Sequence, residues 1–261
     1  MADDARKASL ARRVGGTYLQ VMRVYRGWWV DILLLSVVIF VPLGLIDAAD
    51  AHAIESLGPA QDLKFIALSL GAGLIAASNV LGEVFLAGAI GLSLIHAKDG
   101  RPPSLRFLAG HLSYGRLIAV DLSYALVTLI GAALFILPGL AAFTLLALAG
   151  PIVEIEGRGV RAAFARSFRL VRIDFWLVFC VLFPIELFGG GIEQGFEHLI
   201  ASWLGESFIV DGLTEAVSNI ALAPLFAIAA ALLTRRLIAT AAGDAPSESH
   251  LKDLRPGQIT P

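Results

Sequence analysis

Three polar residues that stand within long apolar runs are the ones whose side chains could do chemistry. Glu83 is the only acidic or basic residue besides His96 between Phe65 and Ala97. Asn79 lies about one helical turn before it, and Asp121 lies about one turn inside a later apolar run. If these runs cross a membrane, a charge near their centre costs about 2.5 kcal/mol or more and should face protein or water. One interpretation is therefore a polar cavity or ion path around Glu83.

A second interpretation places Glu83 near the membrane surface, where it pairs with a neighbouring basic residue. As one helix, the apolar segment 65–97 would measure about 50 Å, against a hydrocarbon core of about 30 Å. Because such a helix projects beyond the membrane, Glu83 can lie close to the surface. We favour this second interpretation.

A charge cluster is predicted just after a short apolar run that contains Pro151. Proline lacks the backbone N–H that a helix interior needs, so Pro151 is expected to end this run early, near the cytosolic surface. Two acids would then lie against a basic helix and could form ion pairs with it. The residues of this cluster are Glu154, Glu156, Arg158, Arg161, Arg166 and Arg169.

The sequence contains few signals of enzymatic chemistry. The five histidines are scattered and have no HExxH spacing, and neither a GxSxG sequence nor a P-loop occurs. The single cysteine, Cys180, lies in an apolar run and excludes a disulfide framework or a CxxC site. We therefore predict no catalytic residues, no cofactor and no metal, and keep a membrane-embedded lipid enzyme only as a third alternative.

The composition explains why the polar residues stand out. Of the 261 residues, 57% are hydrophobic and only 16% are charged, whereas about 25% are charged in soluble domains. Apolar stretches of about 18 or more residues are typical of transmembrane helices, which bond all their backbone groups internally. The sequence predicts an all-α fold, a polytopic membrane helix bundle with additional interfacial amphipathic helices.

Six transmembrane helices are predicted within a membrane domain that covers residues 28–240. Residues 1–27 form an amphipathic helix on the cytosolic surface, and residues 241–261 form a disordered tail. A cleaved signal peptide is disfavoured because the basic leader is too long. The cytosolic connections should contain a helix capped by Ser104 and the arginine-rich helix of residues 158–172. The predicted spans are 29–46, 65–97, 117–137, 140–153, 175–188 and 216–233, with Pro138-Gly139 forming a tight turn between the third and fourth.

Basic residues fall on one side of this arrangement. Of the 20 Lys and Arg residues, 19 lie in the leader, the second and fourth connections and the tail, and only Lys64 lies on the other side. Because loops rich in Lys and Arg stay in the cytosol, both termini are predicted to be cytosolic. The same rule favours one long or kinked helix over two short spans for residues 65–97. In that helix, Ser69, Gly73 and Ala77 would let a neighbour approach closely.

The middle of the chain resembles the membrane module of the glycerophosphoryl diester phosphodiesterase membrane-domain family. Related stand-alone bacterial inner-membrane proteins of unknown function share the pattern. The likeness covers roughly residues 105–190, and family members often carry Gly-Asn where this chain has Ile173-Asp174. It implies the multi-span fold alone, since the chemistry of fused members belongs to a separate soluble domain. The resemblance is carried by the Leu137-Pro138-Gly139 turn, the sequence AGPIVE at 149–154 and the sequence RAAFARSFRLV at 161–171.

The function expected from these features is non-enzymatic. The first hypothesis is a multi-pass protein of the bacterial cell (inner) membrane that acts as a scaffold, a regulator or a module binding lipid or a partner. Its partners would be the bilayer, anionic lipids, another protein or a second copy of the chain, and no nucleic acid. The alternative is a small transporter or channel with a polar path around Glu83.

Overall fold

The computed structural model of the chain describes residues 2–56, 82–204 and 208–243, and these residues form helices joined by short connections. The all-α prediction is confirmed for them, since no β-strand occurs among the elements described. The helices, numbered here in chain order, are α1 Ala2–Gly27, α2 Trp29–Ser56, α3 Glu83–His96, α4 Leu105–His111, α5 Tyr114–Leu134, α6 Ile136–Leu146, α7 Ala149–Ile155, α8 Val160–Val171, α9 Phe175–Leu204 and α10 Phe208–Ala242.

Several of these helices are long and apolar enough to cross a membrane. Within the described residues there are three: Tyr114–Leu134, Ile136–Ile155 and Asn219–Ala242. A fourth is counted if α1 and α2, which meet at an angle of 86°, are taken as one bent span. The helical stretches Glu83–His96 and Phe175–Gly189 are apolar but shorter. These helices fit a membrane protein.

α10 lies at the centre of the bundle, where it packs against α1, α2, α3 and α9. Its residues from Ala227 to Ala231, four of which are alanine, are fully buried. Small residues let the neighbouring backbones approach, so several helices can share one central partner.

The hairpin between α5 and α6 turns at a different place from the one predicted. α5 ends at Leu134, Phe135 is extended, and α6 already begins at Ile136. Pro138 therefore lies in the first turn of α6, where a helix needs no N–H from it. Gly139 instead allows the two helices to touch, since a Cβ there would lie 2.6 Å from the Ala132 nitrogen. The predicted turn at Pro138-Gly139 is wrong by a few residues, but its glycine is required at the crossing.

The prediction that Pro151 ends the fourth span is also wrong. The helical path is interrupted earlier, at Ala147 and Leu148, and Pro151 is the third residue of α7. In this first turn the missing N–H has no intrahelical partner to lose. The apolar stretch accordingly runs to Ile155 rather than stopping at 153.

The long or kinked helix predicted over residues 65–97 does not continue regularly through Gly82. Gly82 has a φ of 98°, which lies in the left-handed region and cannot continue a right-handed helix. α3 therefore starts afresh at Glu83. Asn79 and the predicted row of Ser69, Gly73 and Ala77 lie outside the residues that the structure describes.

The last two helices extend beyond their predicted ends. α9 continues from Phe175 to Leu204, through much of the predicted outer loop, and α10 continues past Arg235-Arg236 to Ala242. Both contain a proline, Pro184 and Pro224 respectively. The tail from residue 244 onward is beyond the described part of the chain.

Candidate functional site

Asp121 is buried within the bundle and caps the first turn of a neighbouring helix. Its side chain is 3% exposed, and the Gly82 N–H donates to its Oδ2 at 2.6 Å. The backbone N–H groups of Val84 and Phe85 face the same carboxylate. The first N–H groups of a helix have no intrahelical acceptor, and an anion there also interacts favourably with the helix dipole. Asp121 of α5 thus supplies the cap that Gly82, which has no side chain, cannot provide for α3.

Glu83 lies beside this cap and belongs to a wider buried polar cluster. It is the first residue of α3 and is only 6% exposed. Tyr124, one turn after Asp121 on α5, is fully buried and donates from its hydroxyl to the Phe143 carbonyl at 3.3 Å. The carboxylates of Glu83, Asp121 and Glu186 are close enough to act electrostatically on this tyrosine. Two of the three polar residues singled out from the sequence are therefore brought together.

Sequence reasoning missed Glu186, although a signal for it existed. It is the one charged residue inside the predicted span 175–188 and lies two residues after Pro184. Its side chain is half-buried. An acid inside an apolar span marks a polar contact by the same argument that singled out Glu83.

Glu83 lies far from the basic loop that follows α3. Glu83 occupies the opposite end of α3 from His96, after which the basic loop beginning at Lys98 follows. A 14-residue helix spans about 20 Å. Glu83 is therefore separated from that loop by the whole of α3.

Two helix starts meet next to the buried acids. α3 begins at Glu83, and α7 begins at Ala149 after the interruption at Ala147 and Leu148. They are in backbone contact, because a Cβ added to Gly150 would overlap the carbonyl oxygen of Val84. One turn further along α3, a Cβ added to Gly88 would lie 2.5 Å from a Leu117 side-chain carbon and 3.2 Å from the Gly150 carbonyl oxygen. Glycine at positions 88 and 150 therefore allows α3 and α7 to approach closely.

The predicted charge cluster is held together by one of its two acids. Glu156 bonds Arg158 and also accepts from the Arg166 Nε at 3.1 Å. Glu154 has a different contact, since its Oε1 accepts from the Ser113 backbone N–H at 2.9 Å. It therefore ties α7 to the start of α5 instead of to the arginine helix.

The other arginines of α8 remain on its outer face. Arg161, Arg169 and Arg172 are exposed, whereas Ala163, Ser167 and Leu170 on the opposite face are buried. The Arg172 guanidinium lies over the Phe168 ring at 5.4 Å. Just beyond α8, Ile173 and Trp176 are also exposed, at 51% and 60% respectively. We call Arg161, Phe168, Arg169, Arg172, Ile173 and Trp176 the α8 surface.

Hydrogen bonds connect several of the predicted basic segments to one another. The Trp28 indole N–H donates to the Gly100 carbonyl at 2.8 Å, which joins the leader to the second connection. Arg116 donates to the Gly157 carbonyl at 3.1 Å, which joins the second connection to the fourth. Arg13 forms an ion pair with Asp174 at the junction of α8 and α9. The leader and these two connections therefore lie at one end of the bundle.

The Ser104 cap predicted for the second connection is present. Its hydroxyl accepts from the Phe107 N–H at 3.3 Å at the start of α4. Among the residues described, no three His, Cys, Asp or Glu side chains are arranged to hold a metal ion.

Comparison with known proteins gives no relative. No protein-family model, curated protein or solved structure matches this chain.

Proposed function

We propose that this protein is a non-enzymatic, multi-pass protein of the bacterial inner membrane that binds anionic phospholipid through the α8 surface. In this role it acts as a scaffold or regulator at the cytosolic leaflet. The observation that carries the proposal is the pairing of three exposed arginines with exposed Phe168, Ile173 and Trp176. Arginines beside aromatic side chains are typical of surfaces that lie at the lipid headgroups.

The local ion pairs support this assignment. Glu156 engages Arg158 and Arg166, so these two arginines are directed toward the protein. Arg161, Arg169 and Arg172 are left on the outside without a carboxylate partner among the ion pairs of the described residues. Each basic side chain near an anionic membrane contributes about 1 kcal/mol to binding, so three contribute roughly 3 kcal/mol.

We further propose six spans with both termini in the cytosol and a membrane module of the glycerophosphoryl diester phosphodiesterase membrane-domain type. The resemblance across residues 105–190 supports the module. The orientation is supported by the contacts that gather the leader and two basic connections at one end of the bundle. Positively charged segments on one end are expected to remain on the cytosolic side.

The orientation can be tested by labelling with a membrane-impermeant maleimide in a Cys180→Ser background. Cysteines introduced at Gly100 and Ala165 should react only after the cells are permeabilised, because both positions belong to the basic end. Cysteines at Asp50 and Val210 should react in intact cells. Reaction of the 100 and 165 positions from outside would overturn the proposed orientation.

The lipid proposal predicts a charge-dependent preference for phosphatidylglycerol over phosphatidylcholine. Replacing Arg161, Arg169 and Arg172 together by glutamine should reduce that preference by on the order of a hundredfold, corresponding to the loss of about 3 kcal/mol. Native mass spectrometry of the protein titrated with each lipid measures it. The matched triple lysine variant keeps the charge and should retain most of the preference. An unchanged preference in the glutamine variant contradicts the proposal.

A second candidate function, transport, is favoured by the helix starts that meet beside buried acids. Transporters often bind their substrates where interrupted helices end within the membrane. Here the starts of α3 and α7 are in contact, and Asp121 Oδ1 has no hydrogen-bond partner among the described residues. Against this candidate, Glu83 and Asp121 are only 6% and 3% exposed, so both acids are buried within the bundle.

A further inference from the structure

Helix α1 is fastened to α9 at the proline of that helix. In a regular helix the Cys180 carbonyl would accept from the N–H of residue 184, but Pro184 has none. The Tyr18 hydroxyl occupies this place and lies 3.1 Å from the Cys180 oxygen and 3.0 Å from the Val181 oxygen. An unsatisfied carbonyl within apolar surroundings is costly, so this contact stabilises both the proline bend and the position of α1.

A second tyrosine fastens α1 to α10. Tyr25 lies seven residues after Tyr18, hence on the same face of α1, and donates to the Ala221 carbonyl at 3.2 Å. Ala221 lies three residues before Pro224 in α10. α1 thus bridges two helices that each contain a proline.

Between these three helices lies an apolar cavity of about 460 Å³. This volume is within the range of about 300–1,000 Å³ that small-molecule sites have. Its walls come from α1, α9 and α10, and include Val21, Pro184 and Leu225. Tyr18 and Cys180 are the polar residues that line it, and the Tyr18 hydroxyl is already bonded to α9. Such a wall favours a hydrocarbon and offers no partners for an ordered water.

The cavity opens onto the apolar exterior of the bundle. Phe188 and Ile192 line it and are themselves 68% and 53% exposed, as is Met22 at 48%. Leu187, next to Phe188, is 60% exposed and continues this apolar exterior. In a membrane, a surface of this kind faces lipid chains, so the cavity is continuous with the hydrocarbon. Exposed Arg23 and Arg26 follow Met22 on α1 and would meet the headgroup of an anionic lipid.

We propose that this cavity binds one acyl chain of an anionic phospholipid, held between α1 and the Pro184 bend of α9. This site is distinct from the α8 surface, and it rests on the membrane location put forward under the proposed function. Because α1 forms one wall, a bound chain stabilises the docked position of α1.

The test uses photoreactive phosphatidylglycerol that carries a diazirine within its acyl chain. The purified full chain is reconstituted in liposomes of phosphatidylethanolamine and phosphatidylglycerol, and cross-linked residues are identified by mass spectrometry. Met22 and Cys180 should be labelled well above Leu122, which is 54% exposed on α5 and reports ordinary contact with lipid. Labelling at Met22 and Cys180 that does not exceed labelling at Leu122 would overturn the proposal.

A cavity-filling variant separates binding in the cavity from general exposure. Gly189 lines the cavity, and a Cβ there has no atom within 4 Å, so Gly189→Phe can fill the space without a clash. Labelling at Met22 and Cys180 should fall by about tenfold, as expected when roughly two methylenes can no longer be buried. Gly191→Phe is the matched control, because Gly191 is equally open but does not line the cavity. Equal labelling in the two variants would contradict the proposal.

Two further results distinguish the acyl chain from a second copy of the protein, and the cavity from the α8 surface. Disulfide cross-links between two chains that carry Met22→Cys, together with an absence of lipid adducts at that position, would assign the cavity to a second copy and refute the acyl-chain site. The glutamine variant of the α8 surface should keep its Met22 and Cys180 adducts while losing its headgroup preference. The cavity and the proposed function can therefore fail independently.

Discussion

Replacing Gly150 by alanine is expected to lower the free energy of unfolding by about 3 kcal/mol or more. The added methyl group would overlap the Val84 carbonyl oxygen, which is backbone and cannot move aside as a flexible side chain could. α3 and α7 would have to separate, and the packing of Gly88 against Gly150 would be lost with them. Titration with SDS in mixed micelles, followed by circular dichroism, measures the change.

Gly16→Ala is the matched control for this substitution. Gly16 lies in the interior of α1, and a Cβ there would have no atom within 4 Å. Alanine is a better helix former than glycine, so this variant should be more stable by about 0.5–1 kcal/mol. If both alanine variants change stability in the same direction, the result would contradict the close backbone contact between α3 and α7.

Asp121→Ala is expected to destabilise the protein by about 3 kcal/mol, because it removes a charged acceptor and leaves buried N–H groups at the start of α3 without one. Gly82 would lose its 2.6 Å hydrogen bond, and Val84 and Phe85 would lose the carboxylate that they face. Asp121→Asn keeps a carbonyl oxygen in place and should cost only about 1 kcal/mol. The same SDS titration compares the two variants.

Asp31→Ala provides the comparison for an exposed acid. Asp31 also lies in the first turn of a helix, but its side chain is exposed to the surroundings. Its removal should cost about 0.5 kcal/mol, the contribution of an exposed charge to a helix dipole. A cost for Asp121→Ala no larger than this would refute the capping role.

The asparagine variant also separates a structural role for Asp121 from transport. Because Asp121→Asn should remain folded, it can be reconstituted in liposomes that contain a pH-sensitive dye. A proton flux in the wild-type protein that this variant abolishes would favour transport. If the wild-type protein shows no proton flux, the role of Asp121 is structural, as the cap of α3.

Helix content could be predicted from the sequence because apolar runs of sufficient length leave few other ways to bond the backbone. The positions at which the helices begin and end were harder to predict from the sequence. Pro138 and Pro151 both looked like terminators, yet each lies in a first turn, where proline is tolerated. The interruptions occur at Phe135 and at Ala147-Leu148, whose residue types give no local signal for them.

For the polar residues too, the sequence predicted one part and the fold decided another. Glu83 and Asp121 stood out because charge is costly in an apolar run, whatever the neighbours are. Their partners did not follow from that cost. Gly82 is 39 positions from Asp121 in the chain, and only the packing of α3 on α5 brings its N–H to the carboxylate. Glu154 likewise bonds Ser113, a residue that no local pattern connects to it.

By itself, the sequence determined the helical class, the apolar segments and the separation of basic from acidic connections, since each depends on the composition of a single segment. Only the tertiary structure decided which glycines allow contact, which carboxylate caps α3 and where α1 encloses an apolar cavity. Those features depend on backbone groups left unpaired at Gly82 and Pro184 and on the side chains, Asp121 and Tyr18, that reach them from distant helices. The physical reason is that burying an unpaired polar group is costly wherever it lies in the chain. Which partner reaches that polar group depends on how the helices pack.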